Sequence, residues 1–238
     1  MSALHKPTGL LYGIGAYGTW GLFPAFFPLL KPAGSVEVLA HRIVWTAVLM
    51  IAVLILMHRL RDVWSMTRRT WLLLVCASAL ISANWVIYVY AVNNGHVVDA
   101  ALGYFINPLV SVALGVLIFR ERVNRAQSVA LAIAVIAVVV LTVEGGNPPV
   151  IALGLAFSFG LYGLVKKVVP VDPRVSVGVE SAIALPLAAA YIAVLQVTGQ
   201  SQFTNHGAGH IALMIVSGPV TAIPLLLFAA AAQRLPTE

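Results

Sequence analysis

The stretch WLLLVCASALISANWVIYVYAVNNGHVVDAALGYFINPLVSVALGVLIFRERV, residues 71–123, decides the fold. Between Trp71 and Phe119 it holds one acid, Asp99, and no lysine or arginine. Two apolar runs, 71–92 and 97–119, flank a short polar break that ends in Asn93, Asn94, Gly95 and His96. Each run is close to the roughly 20 residues a helix needs to cross the hydrocarbon core of a bilayer. Neither shows the polar/apolar alternation of a barrel strand. The reading is a pair of membrane-spanning helices joined by a tight loop.

Working outward, six more runs of this kind lie at 9–30, 36–57, 126–143, 150–169, 175–197 and 211–232, making eight expected spans. Of the 238 residues, 61% are apolar and 9% charged, and the mean hydropathy is +0.97. A soluble domain is about a quarter charged. A surface in water needs more polar groups than this chain has, whereas lipid tails solvate apolar side chains directly. The expected class is therefore all-α, a polytopic membrane helical bundle. The first run reads as a retained span rather than a signal peptide. Only Lys6 precedes it, it is long for such a peptide, and no small-x-small cleavage pattern follows. The single cysteine, Cys76, has no partner for a disulfide or a zinc site.

The loops supply orientation. Lys6 precedes the first span; Arg59, Arg61, Arg68 and Arg69 follow the second; Arg120, Arg122 and Arg125 follow the fourth; Lys166, Lys167 and Arg174 follow the sixth; and Arg234 ends the eighth. Twelve of the fourteen bases thus fall on one side; the others are Lys31, on the opposite side, and Arg42, inside a span. Positive loops stay in the cytoplasm, so both termini of this chain are expected there, in a plasma (inner) membrane. The net charge of +6 is spread over these loops and forms no basic patch, which excludes nucleic acid as a partner.

An internal repeat is also legible. YGTWGLFPAFFP at 17–28 aligns with FGLYGLVKKVVP at 159–170 on an offset of 142, which places Gly18 on Gly160, Trp20 on Tyr162 and Pro28 on Pro170. SVEVLAHR at 35–42 falls in the same order near SVGVESAI at 176–183. Five spans precede the second copy, so it enters the membrane with opposite topology, a layout associated with alternating access. The helix-breaking Gly and Pro of EGGNPP, 144–149, mark the boundary. The expected organisation is an inverted repeat of five-helix units, with residues 1–143 forming the first unit and 144–238 three spans of the second.

Ionisable groups at membrane depth cost on the order of 2.5–3.5 kcal/mol and usually face a bundle interior or an aqueous path. Span 2 carries three, Glu37, His41 and Arg42. Glu37 and His41 share a helix face. Arg42 either binds an anionic group of a solute or pairs with an acid such as Glu180 of span 7. Span 4 carries a polar stripe of Asp99, Gly103 and Asn107, with Tyr104 beside it and Pro108 after it. Proline leaves a backbone carbonyl without its usual donor. Kinking for packing is the alternative reading of that stripe. Span 3 offers Asn84 and Tyr88, as solute contacts or as interhelical hydrogen bonds. Trp20 lines the path or packs. Trp64 and Trp71 fit an aromatic belt. Gly13, Gly15 and Gly18 match G-x-G-x-x-G, but no strand precedes them, so close helix packing replaces a dinucleotide site. No metal-protease, P-loop or nucleophile-elbow motif occurs. An intramembrane enzyme lacks its nucleophile–base set, and no cofactor is expected.

With these residues in view, the chain resembles the EamA-type branch of the drug/metabolite transporter superfamily, and within it the RarD group. The resemblance rests on YGTWGLFPAFFPLLK (17–31), EVLAHRIVW (37–45) and above all residues 82–123, with FSFGLYGLVKKVV (157–169) and GPVTAIPLLLFAAAAQRLP (218–236) in support. It implies a ten-span carrier of two inverted five-span repeats that moves a small solute across the inner membrane. Members of the group continue past AAAAQRLP with two further spans. The function expected is a secondary transporter of a small metabolite or drug-like solute, driven by an ion gradient or exchange. A non-transporting relic or an accessory membrane subunit is the alternative. Its partners are the solute, the lipid bilayer, a coupling proton carried by Glu37, His41 or Asp99, and a second copy in a homodimer. The solute site is expected to be lined by Trp20, Glu37, His41, Arg42, Asn84, Tyr88, Asp99, Tyr104, Asn107 and Glu180.

Overall fold

A computed structural model describes residues 5–119, 124–145 and 148–234. Arg120 and Arg122, the Gly146–Asn147 part of the repeat boundary, and the last four residues lie outside the described residues. Helices account for every regular element among those described: α1 (His5–Gly21), α2 (Phe23–Phe26), a 3-10 turn (Phe27–Leu30), α3 (Ser35–Leu56), α4 (Leu60–Trp64), α5 (Arg68–Asn93), α6 (Val97–Phe119), α7 (Arg125–Gly145), α8 (Val150–Val168), α9 (Pro173–Val197) and α10 (Gly207–Arg234). In six of them, α3, α5, α6, α8, α9 and α10, the described residues are long and apolar enough to cross a membrane. Their outer faces carry large apolar side chains, with Phe105 and Leu187 each 80% exposed. In water that exposure would be unfavourable; in lipid it is the solvated state.

Two expected spans take a different form. The run at 9–30 is not one helix: α1 stops at Gly21, and α2 and the 3-10 turn carry the chain on to Leu30. Pro24 and Pro28, four residues apart, each remove an N–H from the ladder just after Gly21, whereas α6, α9 and α10 continue through Pro108, Pro186, Pro219 and Pro224. The run at 126–143 falls on α7, whose counted apolar stretch is Ser128–Val140. Elsewhere the helix ends follow local chemistry. The Asp172 side chain accepts from the Arg174 backbone N–H at 2.9 Å and caps α9, with Pro173 in the first turn. Gly199 and Gly207, with φ of +67° and +79°, turn the chain out of α9 and into α10.

The chain divides into two compact units, one of Met1–Ser78 with Lys167–Leu235, the other built on Ala79–Lys166. In the first, α3 packs against α9 and α10, and α10 against α1. The approach of α3 to α10 is close at Gly218, where an added Cβ would lie 2.5 Å from the Trp45 carbonyl carbon. Small residues at such crossings let helix backbones approach, which is how membrane helices gain packing without a hydrophobic drive. The second unit uses the same device. A Cβ on Gly103 of α6 would meet the Ala152 carbonyl of α8 at 2.8 Å. Around that crossing Ile106, Val110, Ala152 and Ala156 form a buried apolar cluster.

Candidate functional site

In the first unit the polar groups gather on α3. Glu37, His41 and Trp45 are spaced four residues apart and therefore share one face, while Arg42 lies on another. Glu37 and Arg42 make hydrogen bonds to other elements, and the His41 and Trp45 rings lie against Phe203. The Arg42 guanidinium, 7% exposed, donates from Nε to Thr221 Oγ1 of α10 at 2.9 Å. It also sits 5.4 and 5.0 Å from the ring centroids of Phe23 and Phe27. Thr221 in turn donates to the Ser217 carbonyl at 2.7 Å, and Thr46 donates to the Gly218 carbonyl at 3.1 Å. A charged donor gains more from a hydrogen bond than a neutral one, and aromatic faces favour a cation, so these neighbours suit a buried guanidinium.

Glu37 reaches the loop between α9 and α10. Its Oε1 accepts from Ser201 Oγ at 3.1 Å and from the Gln202 backbone N–H at 2.7 Å. That loop carries Phe203 onto His41, the two rings stacked 4.5 Å apart at 25°. Trp45 lies 6.4 Å from the same phenyl ring. Glu180 of α9 is buried and accepts from Ser176 Oγ at 2.6 Å, while its backbone carbonyl accepts from Ser78 Oγ at 2.8 Å. Trp20 packs between Tyr17, at 5.5 Å, and Phe228 of α10, at 5.7 Å.

In the second unit Asn84 is buried and donates from Nδ2 to the Leu155 carbonyl at 3.0 Å and to Ser158 Oγ at 2.9 Å. Tyr88 and Tyr104 have ring centroids 6.0 Å apart. Asn107 is buried and accepts from Ser111 at 3.5 Å. Asp99 lies at the exposed start of α6, where it contacts His96 Nδ1 at 3.0 Å. Gly103, part of the expected polar stripe, serves the α6–α8 crossing.

The ten expected residues thus divide equally: Trp20, Glu37, His41, Arg42 and Glu180 belong to the first unit, and Asn84, Tyr88, Asp99, Tyr104 and Asn107 to the second. Trp45, Phe203, His210 and Thr221 escaped the sequence reading. For Trp45 the signal was present, because EVLAHRIVW places it one turn after His41. For Phe203 and His210 no local pattern pointed to α3. Among the described residues no cluster of His, Cys, Asp or Glu is arranged to hold a metal ion. What the arrangement offers is buried charge and directed hydrogen bonds inside an apolar bundle, which suits binding a polar group.

Buried ionisable groups inside a bundle of apolar helices define a multi-pass membrane protein with a polar interior, the build of a solute transporter. Comparison with known proteins agrees and narrows the class. Residues 7–143 match the model of the EamA-like transporter family. The chain is 50% identical over 235 residues to Protein RarD of Streptomyces exfoliatus, covering 98% of this chain and 74% of the relative. It is 41% identical over 242 residues to the uncharacterized transporter YojE of Bacillus subtilis, covering 99% and 80%. It is 38% identical over 241 residues to Protein RarD of Escherichia coli, again covering 99% and 80%. No solved structure matches. The chain belongs to the EamA-like transporter family, of the drug/metabolite transporter superfamily.

Proposed function

We propose that the chain is a secondary carrier that moves a small metabolite or drug-like solute by alternating access, driven by an ion gradient or exchange. Family membership supports the general class. The observation that supports a solute path within this chain is Arg42, a permanently charged group 7% exposed in a membrane-spanning helix. Its neighbours Glu37 and His41 keep two more ionisable groups at the same end of α3. The solute contacts proposed are Trp20, Glu37, His41, Arg42 and Glu180 within the first unit, and Asn84, Tyr88, Asp99, Tyr104 and Asn107 within the second. The basic loops set the orientation in this reading, with both termini in the cytoplasm and the chain in the inner membrane. The inverted repeat of 1–143 and 144–238 read from the sequence is the ground for alternating access in this proposal.

The test is flux. The protein is reconstituted into vesicles and exposed to a panel of labelled metabolites and antibiotics, with empty vesicles as control. Uptake or exchange of at least one solute, abolished in Arg42→Ala, is the expected result. No flux for any solute at any gradient sinks the reading. Proton coupling through Glu37, His41 or Asp99 is tested by imposing a pH gradient on the same vesicles. Equal rates with and without the gradient rule it out. Association as a homodimer is tested by cross-linking in the native membrane.

A further inference from the structure

Among the described residues, four buried side-chain polar atoms have no hydrogen-bond partner: Nδ1 and Nε2 of His41, Nε1 of Trp45 and Nε2 of His210. Proteins pair nearly all such atoms, because a buried donor or acceptor left unmatched is destabilising. These four are gathered in one place. His41 and Trp45 share a face of α3, and Phe203 contacts both rings. His210, in the first turn of α10, is edge-on at 5.4 Å to His206, in the same loop that carries Phe203 onto His41. The imidazoles of His41 and His210 are 3% and 7% exposed.

Residues 199–207 roof this group. The segment begins and ends at glycines with left-handed φ, Gly199 and Gly207. Two hydrogen bonds from Ser201 and Gln202 fasten it to Glu37. His206 continues the roof, bonded to Gln202 Oε1 at 2.7 Å and edge-on to His210 at 5.4 Å.

We propose that His41, Trp45 and His210 form a binding site for the carboxylate end of an organic solute, closed by residues 199–207 with Glu37 as the fastening. This deepens the carrier reading and rests on it. The indole N–H only donates, and each neutral imidazole presents one N–H and one acceptor nitrogen, so the N–H groups meet the carboxylate oxygens and the second nitrogen of His41 is left for a donor such as water. Arg42, on another face of α3, and Glu37, one turn before His41, bring opposite charges to this end of the helix, so the choice of a carboxylate rests on the N–H donors. The Phe203 and Trp45 rings suit a flat apolar body attached to that charge.

The probe is benzoate, with benzamide and benzylamine as neutral and cationic counterparts. Binding is measured by calorimetry on the full chain in lipid nanodiscs. Saturable benzoate binding is expected, weaker for benzamide and absent for benzylamine. His41→Phe keeps the stack on Phe203 and removes both nitrogens. Trp45→Phe keeps the ring and removes the N–H. Each is expected to weaken benzoate at least tenfold, as is His210→Leu, with melting temperatures checked in parallel. Where one variant fails to fold, the remaining two decide. No saturable benzoate binding, binding unchanged in the folded variants, or a preference for benzylamine overturns the proposal. Vesicle flux is scored separately: benzoate binding without flux of any solute supports this site while overturning the carrier reading, and flux without benzoate binding does the reverse.

Discussion

Arg42 and Asn84 show how single polar residues are accommodated in this bundle. Asn84 gives both of its amide N–H bonds to α8, one to the Leu155 carbonyl and one to Ser158 Oγ. Asn84→Ala removes both and leaves the Ser158 side chain with its bond to Leu155. Such bonds contribute about 0.6 kcal/mol each in membrane proteins, so the expected loss is about 1 kcal/mol, read as a lower melting temperature in detergent. Arg42 behaves differently, because it is charged at every accessible pH and its planar group fits the slot between Phe23 and Phe27. Arg42→Lys keeps the charge but cannot reproduce the Nε bond to Thr221 together with both ring contacts. The expected result is partial retention of stability in Arg42→Lys, a larger fall in melting temperature in Arg42→Ala, and loss of flux in Arg42→Ala. The residue types were legible in the sequence, since an arginine or asparagine within an apolar run announces itself. Their partners were not, because Thr221 lies 179 residues from Arg42 and Leu155 lies 71 from Asn84.

At the scale of elements, small residues decide which helices touch. Gly218 allows α10 onto the α3 backbone, and Gly103 allows α6 onto α8. Gly218→Val and Gly103→Val force those crossings apart and are each expected to destabilise by about 1–3 kcal/mol. Gly209→Ala, where an added Cβ meets nothing within 4 Å, is expected to leave the melting temperature unchanged. Thermal unfolding of the three variants checks this directly. The loop between α9 and α10 gives a further element-scale prediction. Glu37→Ala removes the acceptor for both Ser201 and Gln202, so limited proteolysis should cut within residues 199–207 faster than in the native protein. Helix existence was readable from apolar run length, and most boundaries fell within a few residues. The break after Gly21 was the exception. A run at 9–30 looks continuous by hydropathy, which is blind to the missing N–H groups of Pro24 and Pro28.

For the whole molecule, sidedness is the property most open to test. Asp172, before α9, lies 3.3 Å from Arg59, after α3, and Gln233, near the end of α10, donates to the Val171 carbonyl at 2.8 Å. These contacts group the same loops that the charge bias assigns to one side. With Cys76→Ser as background, Ala33→Cys is expected to react with an impermeant maleimide in intact cells. Ser65→Cys is expected to react only in inverted vesicles. The reverse pattern would overturn the orientation.

Apolar run length and the scarcity of charge determined, without any coordinates, that this chain is an all-α membrane protein. Each transmembrane helix must satisfy its own backbone within the segment, so local composition suffices to specify it. The 82–123 stretch likewise carried the family. Tertiary structure alone decided what the polar residues do. His41, Trp45 and His210 come from α3 and α10, and Phe203 joins them from a loop with no pattern of its own. Which helices meet depends on where glycines permit backbone contact, and which buried polar atoms find partners depends on that packing. Both are nonlocal outcomes that periodicity cannot encode.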